Sequence, residues 1–181
     1  MGGPGTVLRR SAARRPALWR AALLGAATGG RSTSGPAVLA LIVPAGERHR
    51  PASWLASSRS TAVVLLAAAG EFGLDKYPGA PSRLAPAGFV PRVLLGGLAG
   101  AAVCAHVEQT EEPRRWAAPA AVAATAAVAG ALAGARWRAL VHRSPVPDWL
   151  GALAEDAVVL ALAAAACARP HADDDRDRVP Q

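Results

Sequence analysis

The chain has 181 residues, enough for one domain; 52% of them are apolar but only 4% are aromatic. Its apolar mass is therefore mostly Ala, Val and Leu, which suits helices packing backbone against backbone better than a soluble core filled by Phe, Ile, Tyr and Met. The net charge of +7 is almost all arginine, dispersed at the ends of apolar segments without interleaved aromatics, so the pI of 11.1 does not point to a nucleic-acid partner.

Residues 1–16 read as a basic, disordered arm. With Ala17–Ala27 they resemble a secretory signal, but no A-x-A site follows and Pro36–Val43 resumes the apolar run, so the segment reads as retained. Five apolar segments come next, at 17–43, 60–76, 90–106, 116–141 and 148–168. A spanning helix needs about 20 residues; the fourth and fifth reach that length, while the second and third must borrow flanking residues. Breakers separate them, PGAPSRLAP between the second and third and SPVPD between the fourth and fifth. The tail 169–181 is polar and reads as disordered.

A soluble helical bundle is the competing architecture. VAATAAVAGALAG in the fourth segment and AVVLALAAAAC in the fifth have no charged face, which a soluble surface helix would show. The expectation is thus an all-α, polytopic transmembrane bundle of about five spans over residues 17–168, with the lipid bilayer as its partner. In a five-helix model eleven Lys and Arg fall on one side and eight on the other, placing the N-terminus in the cytoplasm and the C-terminus outside. Cys104 and Cys167 lie inside apolar segments, as inert thiols rather than a disulfide framework.

Small-xxx-small pairs recur at Gly25/Gly29, Gly96/Gly100 and Gly130/Gly134, each letting a neighbouring helix come close. The pattern leaves open whether that neighbour is in the same chain or in a second copy. GAATGGR (25–31) and GALAGAR (130–136) share G-A-x-x-G-x-R, and each precedes a segment with two acids, a faint suggestion of an inverted repeat.

The charges inside the apolar segments carry the functional argument. Glu155 and Asp156 fall near the middle of the fifth segment, and each costs about 2.5–3.5 kcal/mol at a helix centre. Glu71 and Asp75 are spaced i,i+4, on one helix face. Arg31 is the one deep cation, since Lys76, Arg136 and Arg138 lie near helix ends and can snorkel. The acids then outnumber their partners, which points either to protonated carboxylates or to a bound cation. Structural salt bridges between weakly hydrophobic helices are the alternative.

The stretch GGRSTSGP (29–36) should break the first span. Pro36 lacks an N–H, Gly35 loosens the helix and Ser34 can cap a second helix beginning there. A broken helix at mid-membrane lines a cavity and often marks a binding site. Arg31 with Ser32, Thr33 and Ser34 would there offer donors to an anion, or Arg31 would neutralise Glu71 or Glu155. No catalytic, phosphate-binding or metal motif is present, His49, His106, His142 and His171 form no ligand cluster, and neither catalytic residues, a metal nor a cofactor is expected.

Five elements together carry a resemblance: GGRSTSG (29–35), EFGLDKYPGAPSR (71–83), RVLLGGLAG (92–100), GARWR (134–138) and PDWLGALAEDA (147–157). Over roughly residues 20–168 the chain resembles the small bacterial integral membrane proteins of domain-of-unknown-function family 4126. The resemblance implies a polytopic membrane protein without an established activity. Its motif residues here would be Arg31, Glu71, Asp75, Lys76, Pro78, Ser82, Arg83, Asp148, Glu155 and Asp156. Two functions stand as expectations: a small transporter or channel around a buried Arg/carboxylate site, or a scaffold whose charges only hold helices together. The substrate is unknown.

Overall fold

The computed structural model describes residues 4–74 and 84–167, with side chains at 17–71 and 84–167. It is all-α. The helices are α1 (Pro4–Gly30), α2 (Ser34–Ile42), a 3-10 turn (Ala52–Leu55), α3 (Ser58–Leu74), α4 (Pro86–Glu108), α5 (Pro113–Val141) and α6 (Asp148–Cys167). α1 includes most of the stretch that the sequence reads as an arm.

Local chemistry sets most of these boundaries. Pro86 and Pro113 open α4 and α5 in the first turn, where a missing N–H removes no helical bond. Ser57 caps α3 by accepting the Ser60 N–H (3.1 Å). Asp148 stands in the first turn of α6, where a carboxylate suits the positive end of the helix dipole. α4 closes on Gln109 in the left-handed region (φ 48°), whose N–H returns to the Ala105 carbonyl.

α1, α4 and α5 form the packed centre, joined through glycines. A Cβ at Gly25 or Gly29 would collide with the carbonyls of Ala123 or Ala127 on α5, and one at Gly130 with that of Ala26 on α1. A Cβ at Gly96 would come within 2.8 Å of the Ala127 methyl, and one at Gly100 within 2.5 Å of that of Ala123. These five glycines are therefore used within one chain, and Gly134 is also buried on α5. Leu24, Leu39 and Val103 are the largest fully buried apolar side chains of this core.

The order of contacts gives helix direction. α5 runs parallel to α1, with Gly25 at Ala123 and Gly29 at Ala127, and antiparallel to α4, with Gly96 at Ala127 and Gly100 at Pro119. α6 runs back along α1, as Gly30 meets Val159 and Ala21 shares a core cluster with Ala166. The beginning of α1 and the end of α6 thus lie at the same end of the bundle, whereas the five-helix model separates them.

Two further expectations need correction. Among the described residues three helices, not five, are long and apolar enough to cross a membrane: α4, α5 and α6. α3 has 17 residues, about 26 Å, short of a hydrocarbon core of about 30 Å. No stretch of α1 is both long enough and free of charge, because Arg9, Arg10, Arg14, Arg15 and Arg20 occupy its earlier turns. Nor does the first segment break and carry on across. α2 doubles back, so that a Cβ at Gly35 would lie 3.3 Å from the Leu24 carbonyl oxygen. In a continuous helix those two residues would stand about 16 Å apart.

Candidate functional site at the helix break

The helix ends where the sequence expects a break. α1 stops at Gly30, Arg31 N–H still reaches the Ala27 carbonyl (3.0 Å), and α2 starts at Ser34. Pro36 falls in the first turn of α2, where its ring is harmless; in an uninterrupted helix it would clash with the Ser32 carbonyl. Ser34 does not cap α2. Its hydroxyl donates to the Arg31 carbonyl (2.8 Å) and so closes the turn.

The break leaves the N–H groups of Ser32 and Thr33 without helical acceptors. Glu71, from α3, accepts both. Its Oε1 takes Ser32 N–H (2.8 Å) and O–H (2.6 Å), and its Oε2 takes Thr33 N–H (3.0 Å) and O–H (2.7 Å). Arg92 of α4 adds a guanidinium contact to Oε1 at 3.3 Å. The carboxylate of one helix thus caps another, in a seat made only of donors, with the dipole of α2 favouring the negative charge.

Arg31 is 3% exposed and turns to α6, where Nε (2.9 Å) and Nη2 (2.5 Å) both reach Asp156 Oδ1. The acid it is seen to meet is Asp156, where the sequence pointed to Glu71 or Glu155. Adjacent residues on a helix lie about 100° apart, so Glu155 faces another way and takes the Arg138 Nε of α5 at 2.8 Å. Three inward acids are therefore matched by three arginines: Glu71–Arg92, Asp156–Arg31 and Glu155–Arg138. Arg92 and Arg138 thus join Arg31 as cations set against the inward acids, while Asp75, the fourth acid of the expected excess, lies outside the described residues.

Arg92 is the residue that sequence reasoning missed. It is 5% exposed, yet reads as one more positive charge at a segment end. Pro91 before it and the neighbouring glycines give an available clue, since an arginine inside apolar PRVLLGG needs an acid. Of the other candidates, Arg136 is exposed on α5, and Asp148 is exposed and paired with His142 Nδ1 (3.1 Å). Asp75, Lys76, Pro78, Ser82 and Arg83 lie outside the described residues.

A family model described as "Domain of unknown function (DUF4126)" matches residues 18–172. The chain belongs to this family. The match covers the break, α3 and all three Arg–carboxylate pairs of this DUF4126 protein, and the family description assigns no activity to them. No curated protein and no solved structure proved similar to the chain.

At the opposite end of the bundle this DUF4126 chain holds a second polar cluster that the sequence did not reveal. Glu47, in the loop after α2, receives His49 Nδ1 (2.8 Å) and, from the last turn of α4, His106 Nδ1 (2.5 Å). The N–H groups of Arg48 and His49 also donate to Oε1, each at 2.9 Å. Burial alone would raise the carboxyl's pKa. The hydrogen bonds from His106, His49 and Arg48 outweigh it and hold the group down at about 2. This cluster fastens the α2 loop to α4.

Proposed function

We propose that the protein is a small multi-pass membrane transporter or channel, proton-linked, in which Glu71 is the proton-exchanging group and the α1–α2 break its site. The observation that carries this reading is the way α3 is held. None of its described side chains is buried, so packing fastens it weakly, and its far end is latched by one carboxylate in the Ser32–Thr33 seat. A protonated Glu71 loses the charge that the seat favours, and elements with few buried contacts are those that open first. Release of α3 would then uncover the donors of the break.

The membrane setting has support beyond helix length. Trp116 and Trp137 stand 21 residues apart on α5, about 31 Å along its axis, close to the hydrocarbon thickness. Trp149 shares the end of Trp137, while Trp19 and Trp54 lie towards the end of Trp116, as interfacial belts require. The arginines in the early turns of α1 favour a cytoplasmic N-terminus, and the helix directions would put the end of α6 on that side too.

A second reading is favoured by the pairing of Arg31, Arg92 and Arg138 with Asp156, Glu71 and Glu155: a scaffold or accessory subunit whose charges only fix helix register. Water access separates the two. In protein carrying Ala at 104 and 167, single cysteines at Arg31, Glu71 and Glu155 are labelled with a membrane-impermeant thiol reagent from each side. Reaction at 31 and 71, together with proton flux in wild-type vesicles that Glu71→Gln abolishes, supports transport. Silence at all three positions, in folded protein whose loop controls react, leaves the scaffold.

A further inference from the structure

Among the described residues the largest feature outside the helix break is a cavity of about 540 Å³ between α5 and α6, floored by α1 at Ala26 and Gly30. Its volume lies in the range of small-molecule sites, roughly 300–1,000 Å³. It exists because α6 packs on α1 and α2 and meets α5 mainly near their connecting turn. There Gly151 fits against Val141, with room for no Cβ, and Trp137 Nε1 donates to the Gly151 carbonyl at 2.9 Å. Away from this junction the two helices diverge.

The cavity is apolar with one charged end. Glu155 is the single charged residue on its wall, and its side chain is 6% exposed. It stands one helical turn beyond Gly151 on the same face of α6, and so beside Trp137, which also lines the cavity. From Glu155 the slot runs along α6 past Val158 to Leu162, about 10 Å at the helical rise. Arg138 holds Glu155 through Nε at 2.8 Å but is not on the wall, so the guanidinium approaches the carboxylate from outside the cavity. A carboxylate has about four acceptor positions, enough to serve a guanidinium on one side and a second cation on the other.

We infer that this cavity binds a hydrophobic organic cation, its ammonium head between Glu155 and Trp137 and its apolar body along Val158 and Leu162. Charge and shape both select the occupant. An anionic head would meet the Glu155 carboxylate, and a neutral apolar guest would strip water from that carboxylate and return no charge to it. A cation does return one, and an indole is the best aromatic partner for it. The inference goes beyond the transport reading and involves neither Glu71 nor the break, so either can fail while the other stands.

The test is equilibrium binding of tritiated benzyltrimethylammonium to the full chain in phosphatidylcholine nanodiscs, with empty discs as the blank. One saturable site per chain is expected. Neopentylbenzene has the same shape without the charge and should compete about tenfold less well. Glu155→Gln should weaken binding about tenfold, whereas Arg138→Gln should strengthen it, because the carboxylate loses its other cation. A pair that served only to hold the helices would not respond in opposite directions to loss of its two charges. Val158→Trp breaks no ion pair and fills the slot, so it should abolish binding while leaving the thermal midpoint near wild type. Absence of saturable binding to wild type would overturn the proposal, as would undiminished binding in Glu155→Gln or Val158→Trp. Equal competition by neopentylbenzene would also sink it and leave the slot to lipid tails. So would a dimeric wild type that Val158→Trp renders monomeric, because a second copy then fills the groove.

Discussion

α3 and the α1–α4–α5 centre are both rich in alanine and apolar residues, yet they join the molecule in opposite ways. In the centre, glycines bring backbones together and no polar group is needed at the closest contacts. α3 buries none of its described side chains and is fastened at its far end through Glu71. Similar compositions thus yield a rigid unit where small residues face small residues, and a latched element where they do not. Dispersion between close backbones supports the first, and charge-assisted hydrogen bonds the second.

The largest expected effect tests the latch. Glu71→Leu strands the donors of Ser32 and Thr33 and removes the carboxylate that Arg92 contacts, a loss of about 3–5 kcal/mol for a buried pair broken on one side. Chemical unfolding in detergent should show that loss, and hydrogen exchange should rise first in α3. If α3 stays as protected as α1, packing rather than the carboxylate holds it. Next in size, Gly29→Val forces a side chain into the Ala127 carbonyl and should cost about 3 kcal/mol, at the upper end of overpacking, read as a lower thermal midpoint. An unchanged midpoint would mean that α1 and α5 are not in backbone contact.

A smaller effect is confined to acid. Glu47 has a folded pKa of about 2 against an ordinary 4.5, so the folded state binds the proton less readily than the unfolded one. Its contribution is complete above pH 4.5 and disappears as pH falls towards 2. Glu47→Gln should flatten the stability profile across that window, and an unaltered slope would remove Glu47 from the account. The smallest effect has the opposite sign. Gly70, in α3, has open space where a Cβ would stand, so Gly70→Ala should stabilise by up to about 0.5–1 kcal/mol through helix propensity alone. Gly29 and Gly70 would then respond in opposite directions to an added side chain, which is the contrast between the two regions at the scale of single residues.

How far the sequence could be read differs residue by residue. The break was legible because Gly29, Gly30 and Pro36 act on their own backbone: a proline ring forbids the local hydrogen bond whatever surrounds it. The helical class and the fourth and fifth segments were legible for a similar reason, since apolar length is a property of the segment itself. Glu155, Asp156 and Arg31 stood out as charges where charge is expensive, but their partners did not. Arg31 was expected to face Glu71 or Glu155, and the step of about 100° between Glu155 and Asp156 turns Asp156 towards it instead. Arg92 passed for a segment-end charge because its depth depends on α3 arriving beside it. His106 and Glu47, 59 positions apart, gave no local sign of meeting.

The sequence by itself determined that the chain is helical, where its first helix must stop, and that several charges need company. Those outcomes come from backbone sterics and solvation, which act within a few residues. Only the tertiary structure decided that α2 turns back, that three spans rather than five are candidates among the described residues, and which arginines meet Glu71, Glu155 and Asp156. Those depend on which helix faces lie opposite one another, and here the glycines against Ala123 and Ala127 set that packing.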